Sequence, residues 1–196
     1  MRILAFSGST RRDSFNQRLV AIAATAAADA GSETTLVSLN ELPMPLYDAD
    51  LEATEGLPET ARSFRNLLKA ADGILIASPE YNGGMSAVLK NAIDWSTRSD
   101  PTCGKEEPLI AWRGKVVGIM ACSPGRLGGL RGLTHVRTIL SGLGSLIVPD
   151  QVAVPGVHEL FGTGKTLSNE HLQTSVAAIG LAVATLAASV RSNASG

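Results

Sequence analysis

The sequence predicts a doubly wound α/β domain, with five parallel strands in one sheet and helices on both faces. Short apolar runs alternate five times with longer segments of helical spacing, which is typical of strands joined by crossover helices. The chain has 196 residues, 44% of them hydrophobic, which is enough for one full core. No repeat and no linker-like composition divides it, so residues 1–196 are expected to form a single domain.

In the first half of the chain, apolar runs and Ala-rich segments alternate clearly. The nearly continuous apolar run 2–7 predicts the first, central strand, and the Ala-rich segment 14–30, which stops before a glycine, predicts a helix. Residues 34–39 predict the second strand. A long loop with two prolines is expected over 40–56, and a proline in the first turn favours a helix over 58–71.

The second half repeats this alternation. The apolar run 73–78 predicts the third strand, and 85–97 predicts a helix with one apolar face. The fourth strand is expected at 115–122, followed by a Gly-rich turn and a further helix. The fifth strand is expected at 145–154, and the Ala-rich segment 168–190 predicts a last helix that packs on the sheet.

Composition excludes several functional classes. A net charge of -1 provides no basic field for nucleic acid. The two cysteines, Cys103 and Cys122, form no CxxC pair or Cys/His cluster, so they predict free thiols in a reducing compartment and no metal site. The N-terminus lacks a signal-peptide pattern, and the apolar run 176–190 is short for a membrane span. We therefore expect a soluble, cytoplasmic protein that binds neither membrane nor nucleic acid.

The first loop, which follows the first strand, carries a candidate phosphate site. Residues 8–16 combine one glycine with hydroxyl, amide and guanidinium groups at the start of a helix. Unpaired N–H groups and the positive end of the helix dipole at such a place favour an anion. The alternative is an ordinary capped helix start, with Asp13 or Ser14 as the N-cap and the arginines in solvent.

Two other phosphate-binding motifs are incomplete. A Rossmann fingerprint requires three spaced glycines after the first strand, and only Gly8 is present there. Residues 162–166 resemble the end of a Walker A loop, but Glu159 occupies the position of its first glycine. Both motifs are therefore disfavoured.

Two further loops point to a flat ligand. Residues 78–86 follow the third strand and residues 123–129 follow the fourth; both are rich in Gly and Pro, and the former contains Tyr81. With strand order 2-1-3-4-5, these loops and the first one lie side by side at the switch point of the sheet. A phosphate joined to a planar ring is the outline of FMN. The loops at 8–14, 78–86 and 123–129 are called loop 1, loop 3 and loop 4 below.

The motifs at 8–16, 78–95 and 123–129, with the run 140–144, resemble the NADPH-dependent FMN reductase family of flavodoxin-like proteins, which includes bacterial chromate, quinone and azo-compound reductases. The resemblance covers essentially the whole chain and implies a flavodoxin-like fold. It implies that one group of residues lies around the FMN phosphate: Ser9, Thr10, Arg11, Ser14, Phe15 and Asn16. It implies that a second group borders the isoalloxazine ring: Pro79, Glu80, Tyr81, Asn82, Gly83, Ser123, Pro124 and Gly125. Thr10 stands where many relatives carry an apolar residue.

The resemblance also implies an activity. It implies an FMN-dependent oxidoreductase that takes a hydride from NADPH or NADH and passes electrons to a quinone, flavin, azo compound or chromate by a ping-pong mechanism. The ring carries the chemistry, so no catalytic acid, base or metal is expected. A homodimer or a dimer of dimers is implied, with a partner subunit helping to wall the site. Arg98 and Lys105, judged by position alone, are candidates for binding a nicotinamide-cofactor phosphate.

Two alternatives stay open at this point. A flavodoxin-type electron carrier shares the fold, but such carriers tend to be strongly acidic and to have an uncharged phosphate loop, whereas loop 1 contains Arg11 and Arg12. A flavin-free interaction protein on the same fold is disfavoured by the intact loops.

Overall fold

A five-stranded parallel sheet forms the centre of the structure, a computed structural model that describes residues 1–100, 102, 104, 107–162 and 164–194. In chain order the strands are β1 (Arg2–Ser7), β2 (Glu33–Ser38), β3 (Gly73–Ala77), β4 (Glu80–Tyr81), β5 (Gly84–Met85), β6 (Val116–Cys122) and β7 (Leu146–Val154). The sheet order is β2-β1-β3-β6-β7, with every pair parallel, while β4 and β5 form a separate antiparallel hairpin. The predicted order 2-1-3-4-5 and the α/β fold class are confirmed.

The described residues form seven α-helices: α1 (Phe15–Asp29), α2 (Ala49–Glu55), α3 (Glu59–Ala70), α4 (Ala87–Ser96), α5 (Leu130–Gly142), α6 (Val157–Leu160) and α7 (Glu170–Ala194). Short 3-10 turns occupy Leu39–Glu41 and Pro108–Ala111. The five predicted helices correspond to α1, α3, α4, α5 and α7. The short helices α2 and α6 lie where loops were expected.

Helix α2 shows why the sequence pattern missed it. The helix buries none of its residues, so it leaves no apolar stripe in the sequence. Its first turn is fixed instead by the Asp48 side chain, which accepts hydrogen bonds from the N–H groups of Asp50 and Leu51 at 2.8 and 3.3 Å. An N-cap of this kind is a local signal that periodicity does not detect.

The strands alternate their side chains between two cores. Ile3 and Ala5 of β1 belong to the cluster that includes α1 and α7, whereas Leu4 and Phe6 belong to the cluster on the opposite face with α3, α4 and α5. All residues of β3 and β6 are buried. Helices therefore cover both faces of the sheet, as a doubly wound fold requires.

Helix α7 packs tightly across α1. A Cβ atom at Gly180 would lie 2.0 Å from the carbonyl oxygen of Ala23, so only glycine allows this approach. Val176, Ile179 and Val183 of α7 are buried in the core on that face. Among the described residues, Glu170–Ser192 forms one helix long and apolar enough to cross a membrane, with a mean hydropathy of 1.6. Its buried inner side is typical of a core helix as well.

Candidate functional site

The carboxyl ends of β1, β3 and β6 meet at one edge of the sheet, where loops 1, 3 and 4 surround a shallow cleft of about 120 Å³. Parallel sheets bind ligands at this position, beside the point where strand order reverses. The residues that line the cleft are Ser9, Arg11, Ser14, Phe15, Asn16, Pro79, Glu80, Tyr81, Cys122, Ser123 and Pro124.

Loop 1 is held by a close approach between Gly8 and helix α4. A Cβ atom at Gly8 would lie 2.8 Å from the Leu89 Cβ, so the position has no room for a larger residue. The Gly8 carbonyl accepts a 2.5 Å hydrogen bond from the hydroxyl of Ser86, and the Gly8 N–H donates to Ala77. Ser86 also caps α4, since its side chain accepts from the Leu89 N–H. The starts of loop 1 and α4 are therefore fixed together.

The first turn of α1 leaves N–H groups facing the cleft. Ser14 is the N-cap, and its hydroxyl accepts a hydrogen bond from the Gln17 N–H at 3.3 Å. The N–H groups of Phe15 and Asn16 bond no group in the described part of the chain. The Ser9 hydroxyl accepts from the Arg11 N–H at 3.3 Å, which curls the loop over this helix start. Free N–H donors and two hydroxyls at a helix N-terminus match an anionic group such as a phosphate.

Two arginines add positive charge beside this turn. The Arg11 guanidinium is exposed and lies 5.8 Å from the centre of the Phe15 ring. The Arg18 guanidinium lies 5.9 and 5.6 Å from the centres of the Phe15 and Phe161 rings and donates a hydrogen bond to the Gly162 carbonyl at 3.2 Å, so its head group is already bound. Arg11 therefore remains available for a ligand at the cleft.

Asn16 has a role that the sequence did not reveal. Its amide oxygen accepts a hydrogen bond from the Cys122 N–H at 3.0 Å, and its amide nitrogen donates to the Cys122 carbonyl at 3.1 Å. Both residues are buried. The side chain thus joins the start of α1 to the end of β6 across 106 residues of sequence, and only one amide hydrogen is left for a ligand.

Loop 3 contains a β-hairpin, formed by β4 and β5, with a two-residue turn at Asn82 and Gly83. Asn82 has φ of 53° and Gly83 has φ of 82°, the pair of positive angles that a type I′ turn requires. Asn82 is the only non-glycine residue with positive φ among the described residues. The Asn-Gly pair was the signal in the sequence for this hairpin. The turn leaves Tyr81 59% exposed at the mouth of the cleft.

Glu80 anchors this hairpin to helix α5. One carboxylate oxygen accepts from the Arg131 guanidinium at 2.6 and 2.9 Å, and the other accepts from the Gly132 N–H at 3.0 Å. Burial alone would raise the pKa of the Glu80 carboxyl, but the hydrogen bond from Gly132 and the charge of Arg131 outweigh it and hold that pKa below its ordinary value. Glu80 is therefore an ionised cap for α5, whose own N-cap residue, Gly129, has no side chain.

Loop 4 is fixed at both ends. The Ser123 N–H donates to the Val154 carbonyl at 3.1 Å, and its hydroxyl accepts from the Gly125 N–H at 3.2 Å. At the other end, a Cβ atom at Gly128 would lie 2.6 Å from the Val154 carbonyl carbon, and one at Gly129 would lie 2.6 Å from the Ala121 Cβ. The glycines let the loop lie directly on the ends of β6 and β7.

Cys122, at the end of β6, lines the cleft. It is 2% exposed, and burial raises the pKa of its thiol well above the ordinary value. A protonated, buried thiol is a packing group rather than a nucleophile.

The cleft brings together ten of the fourteen predicted residues. Asn82, Gly83 and Gly125 lie beside it, on the hairpin turn and in loop 4, without lining it. Thr10 points elsewhere: it lines a separate apolar groove of about 270 Å³ between loop 1, α4 and residues 39–46.

Hydrogen bonds attach one wall of that groove, residues 43–47, to α4. Asn91 accepts from the Tyr47 N–H and donates to the Pro45 carbonyl, both at 2.8 Å. The indole N–H of Trp95 also donates to Pro45 at 2.8 Å. The segment 43–47 is thereby fixed with Leu46 at its tip, 78% exposed.

Arg98 is also engaged on this face. Its guanidinium lies 5.2 Å from the centre of the Tyr47 ring and donates to the Thr97 hydroxyl at 3.0 Å and the Asp94 carbonyl at 3.2 Å. These contacts leave it poorly placed for a co-substrate phosphate. Lys105, the other candidate for that role, lies outside the described residues.

Comparisons with known proteins identify sequence relatives and a similar fold. A sequence model of the family described as NADPH-dependent FMN reductase matches residues 1–159. A quinone reductase of Escherichia coli is 36% identical over 157 residues, which cover 80% of this chain and 78% of that protein. An NAD(P)H-dependent FMN reductase of Pseudomonas aeruginosa is 36% identical over 140 residues, 71% of this chain and 69% of that protein. The structure of an NAD(P)H:acceptor oxidoreductase from Paracoccus denitrificans superposes with a TM-score of 0.74 at 24% identity, covering 93% of this chain and 96% of that one.

Proposed function

This chain belongs to the NADPH-dependent FMN reductase family, and from that premise we propose that it reduces small-molecule acceptors with electrons from NAD(P)H through FMN held in the cleft of loops 1, 3 and 4. It is an oxidoreductase with FMN as cofactor and a nicotinamide co-substrate. The observation that carries the assignment of the site is the set of unpaired N–H groups at the start of α1, beside two hydroxyls and a free guanidinium.

The residues of loop 1 fit a phosphate. The Ser9 and Ser14 hydroxyls, the N–H groups of Phe15 and Asn16, and the Arg11 guanidinium are the donors we assign to the FMN phosphate. For Asn16 the contribution is its backbone N–H, because the side chain is bound to Cys122. Thr10 supports the loop from the groove side.

Loops 3 and 4 fit a planar ring. We assign contacts with the isoalloxazine to residues that lie on either side of the cleft or beside it: Pro79, Glu80, Tyr81, Asn82, Gly83, Ser123, Pro124 and Gly125. Most offer backbone or short side chains, which lets the chain approach a flat surface closely. When bound, FMN supplies the redox chemistry, accepting a hydride from the nicotinamide and delivering electrons to the acceptor. The chain's own residues bind and orient it, and none is assigned as a general acid or base.

Quinones are the acceptor class we favour. Support comes from the names of the relatives, among which quinone reductases recur. The cleft is shallow and has an exposed tyrosine at its mouth, which suits a flat molecule that enters and leaves freely. We propose a ping-pong scheme, in which donor and acceptor occupy the same open side of the cleft in turn.

We further propose that residues 1–196 act as a single domain in a cytoplasmic homodimer, with dimers able to pair. The apolar groove beside α4 and the exposed Leu46 support an interface on that face, since large exposed apolar surfaces mark contacts. Leu46→Asp is expected to shift the protein towards monomer in size-exclusion chromatography with light scattering. An unchanged mass for this variant would exclude this face as the interface.

The first test is anaerobic. Purified, FMN-loaded protein is mixed with NADPH and, separately, with NADH, while the absorbance of oxidised flavin is followed. Rapid bleaching by either donor, reversed on adding a quinone, is the expected result. A flavin that bleaches with dithionite but with neither nicotinamide would instead favour an electron carrier. A protein that fails to bind added FMN would overturn the assignment of the site.

A further inference from the structure

The solvent-facing side of α7 carries no charge. Residues 171–190 contain no Asp, Glu, Lys or Arg, and α7 has no aromatic residue. Exposed residues recur along the helix at alternating spacings of four and three: Thr174, Ala178, Leu181, Thr185 and Ala188. We call these five residues the α7 seam. A helix that stays in water normally carries charged residues on its outer side, whereas this spacing is typical of a helix that packs along another helix.

The fold leaves the seam uncovered. Glu170–Ser192 is apolar enough to cross a membrane, yet only 33% of its most apolar stretch is buried. The buried residues Val176, Ile179 and Val183 lie on the opposite side of the helix, against the core. Leu181, at the centre of the seam, is 51% exposed. An extended apolar surface of this kind marks a contact with another molecule.

Both ends of α7 are fixed, so the seam is presented on a rigid support. At the start of the helix, the Asn169 side chain accepts a hydrogen bond from the Leu172 N–H at 3.0 Å, and the Gln173 side chain accepts from the Leu167 N–H at 3.0 Å. At the other end, Arg191 binds Asp72 at 3.1 Å. A partner that packs on the seam therefore pays little entropy to order it.

The charges at the two ends of α7 indicate the partner. Glu170 lies in the first turn and Arg191 in the last, with Leu181 midway between them. A second α7 that runs antiparallel and meets the first at Leu181 places each Glu170 beside the Arg191 of the other copy, and it also opposes the two helix dipoles. Arg191 binds Asp72 through one nitrogen while its side chain is 58% exposed, so its other donors can reach a second carboxylate.

The same arrangement brings small side chains together. A two-fold axis at Leu181 sets Thr174 against Ala188 and Ala178 near Thr185, and small residues let two helices approach closely. A lipid surface fits the seam less well. Helices that bind membrane surfaces carry Lys or Arg on their polar face and several large apolar or aromatic residues on the other, whereas the seam has one leucine and no cation.

We propose that the α7 seam is a contact surface between two copies of this chain, which pack antiparallel along α7 about a two-fold axis at Leu181. The seam lies on the opposite face of the sheet from α4 and its groove, so it supplies the second face that the pairing of dimers proposed above requires. In that role it rests on the proposed assembly, while the contact itself rests on α7 alone. One helix offers a strip of about 31 Å by about 10 Å, which is below the about 800 Å² per partner of a stable complex, so the contact should form only at micromolar protein concentration.

The first test is sedimentation equilibrium in a Leu46→Asp background, which removes the other proposed face. Leu181→Asp should raise the dissociation constant of self-association about tenfold or more. The matched control is Leu186→Asp, because Leu186 is 39% exposed on the same helix but lies about 140° around it from Leu181. The control should associate like its parent, and Glu170→Lys should weaken association more at low salt than at high salt. Equal association of Leu181→Asp and its parent would overturn the inference.

A second test examines the two-fold axis directly. In a Cys103→Ser background, mild oxidation should link two copies of Leu181→Cys through a disulfide and leave Leu186→Cys unlinked. Equal linking of the two variants would refute the antiparallel contact.

Vesicle flotation tests the competing occupant. The wild type should not float with vesicles of phosphatidylcholine and phosphatidylglycerol. Flotation that Leu181→Asp abolishes would show that lipid covers the seam, and it would overturn the inference. None of these readouts involves flavin, so their failure leaves the proposed reductase standing. Conversely, a protein that associates through the seam but whose flavin no nicotinamide reduces would refute the reductase and leave the seam.

Discussion

Removing the Asn16 side chain should destabilise the protein before any cofactor is involved. In Asn16→Ala, the buried N–H and C=O groups of Cys122 lose their partners, which stand at 3.0 and 3.1 Å in the wild type. Each buried group left unsatisfied costs about 1–3 kcal/mol, so the expected loss is about 2–6 kcal/mol of unfolding free energy. For a chain of 196 residues, at about 2–4 °C per kcal/mol, that lowers Tm by roughly 10 °C.

The assay is urea unfolding of the FMN-free protein, followed by FMN titration of the folded variant. Asn91→Ala is the matched control, because Asn91 also holds two backbone groups, those of Tyr47 and Pro45, but on the groove side of loop 1. Both variants should lose stability. Only Asn16→Ala should also weaken FMN binding, because in that variant loops 1 and 4 are no longer held together. If FMN-free Asn16→Ala unfolds within about 0.5 kcal/mol of wild type while its FMN affinity falls, Asn16 is a direct ligand and the reasoning is wrong.

Replacing Asn16 by Asp should make the contribution of this contact with Cys122 to the unfolding free energy depend on pH. A carboxylate there would accept from the Cys122 N–H but face the Cys122 carbonyl without a proton to donate. Burial should raise the pKa of the introduced carboxyl in the fold above its unfolded value, so the folded state binds the proton more tightly. The variant should therefore gain stability relative to wild type as pH falls. A difference in unfolding free energy that stays constant with pH would contradict this.

Three further predictions concern other parts of the site. The pKa of Glu80 is lowered in the fold, so the stabilising effect of its carboxylate is present at neutral pH and is lost as pH falls through the folded-state pKa. Urea titrations should therefore show Glu80→Gln to be less stable than wild type at about pH 7, with a smaller difference at about pH 3. Gly129→Ala should lose about 2 kcal/mol or more, because φ is 95° and the new Cβ would lie 2.6 Å from Ala121, whereas Gly142→Ala, with open space around it, should change stability by less than about 1 kcal/mol. In a Cys103→Ser background, Cys122 should react with a disulfide reagent only as fast as the protein unfolds, because the Cys122 thiol is buried and burial raises its pKa. Rapid labelling of the native protein would instead show that the cleft exposes this thiol.

The architecture was predictable because hydrophobic patterns are local. The strands β3 and β6, which lie within the runs 73–78 and 115–122, are buried on both faces, as inner strands of a parallel sheet are. The turn at Asn82-Gly83 was also available locally, since that pair favours a type I′ turn, whereas the pairing of β4 with β5 was not predicted.

Other features depend on contacts between distant residues. The Asn16 amide looks like a phosphate ligand until Cys122, 106 residues away, is placed beside it. Thr10 sits between two ligand-like loop residues, and only the fold turns it away into the groove beside α4. Arg98 likewise has no evident partner in the sequence until the fold places Tyr47 beside it. Sequence spacing predicted that loops 1, 3 and 4 lie side by side at one edge of the sheet, but the direction of each side chain is set by packing that spacing does not encode.

The capping of α5 by Glu80 makes the Gly132 amide a built-in reporter. Its N–H points at a carboxylate carried by the hairpin, so it exchanges with deuterium only when the hairpin lifts from the helix. The amide thus records, without a label, how often the mouth of the cleft opens. A ligand that packs on Tyr81 would slow this exchange, whereas a ligand that displaces the hairpin from α5 would accelerate it. Exchange rates would therefore distinguish two modes of ligand entry that turnover rates do not separate.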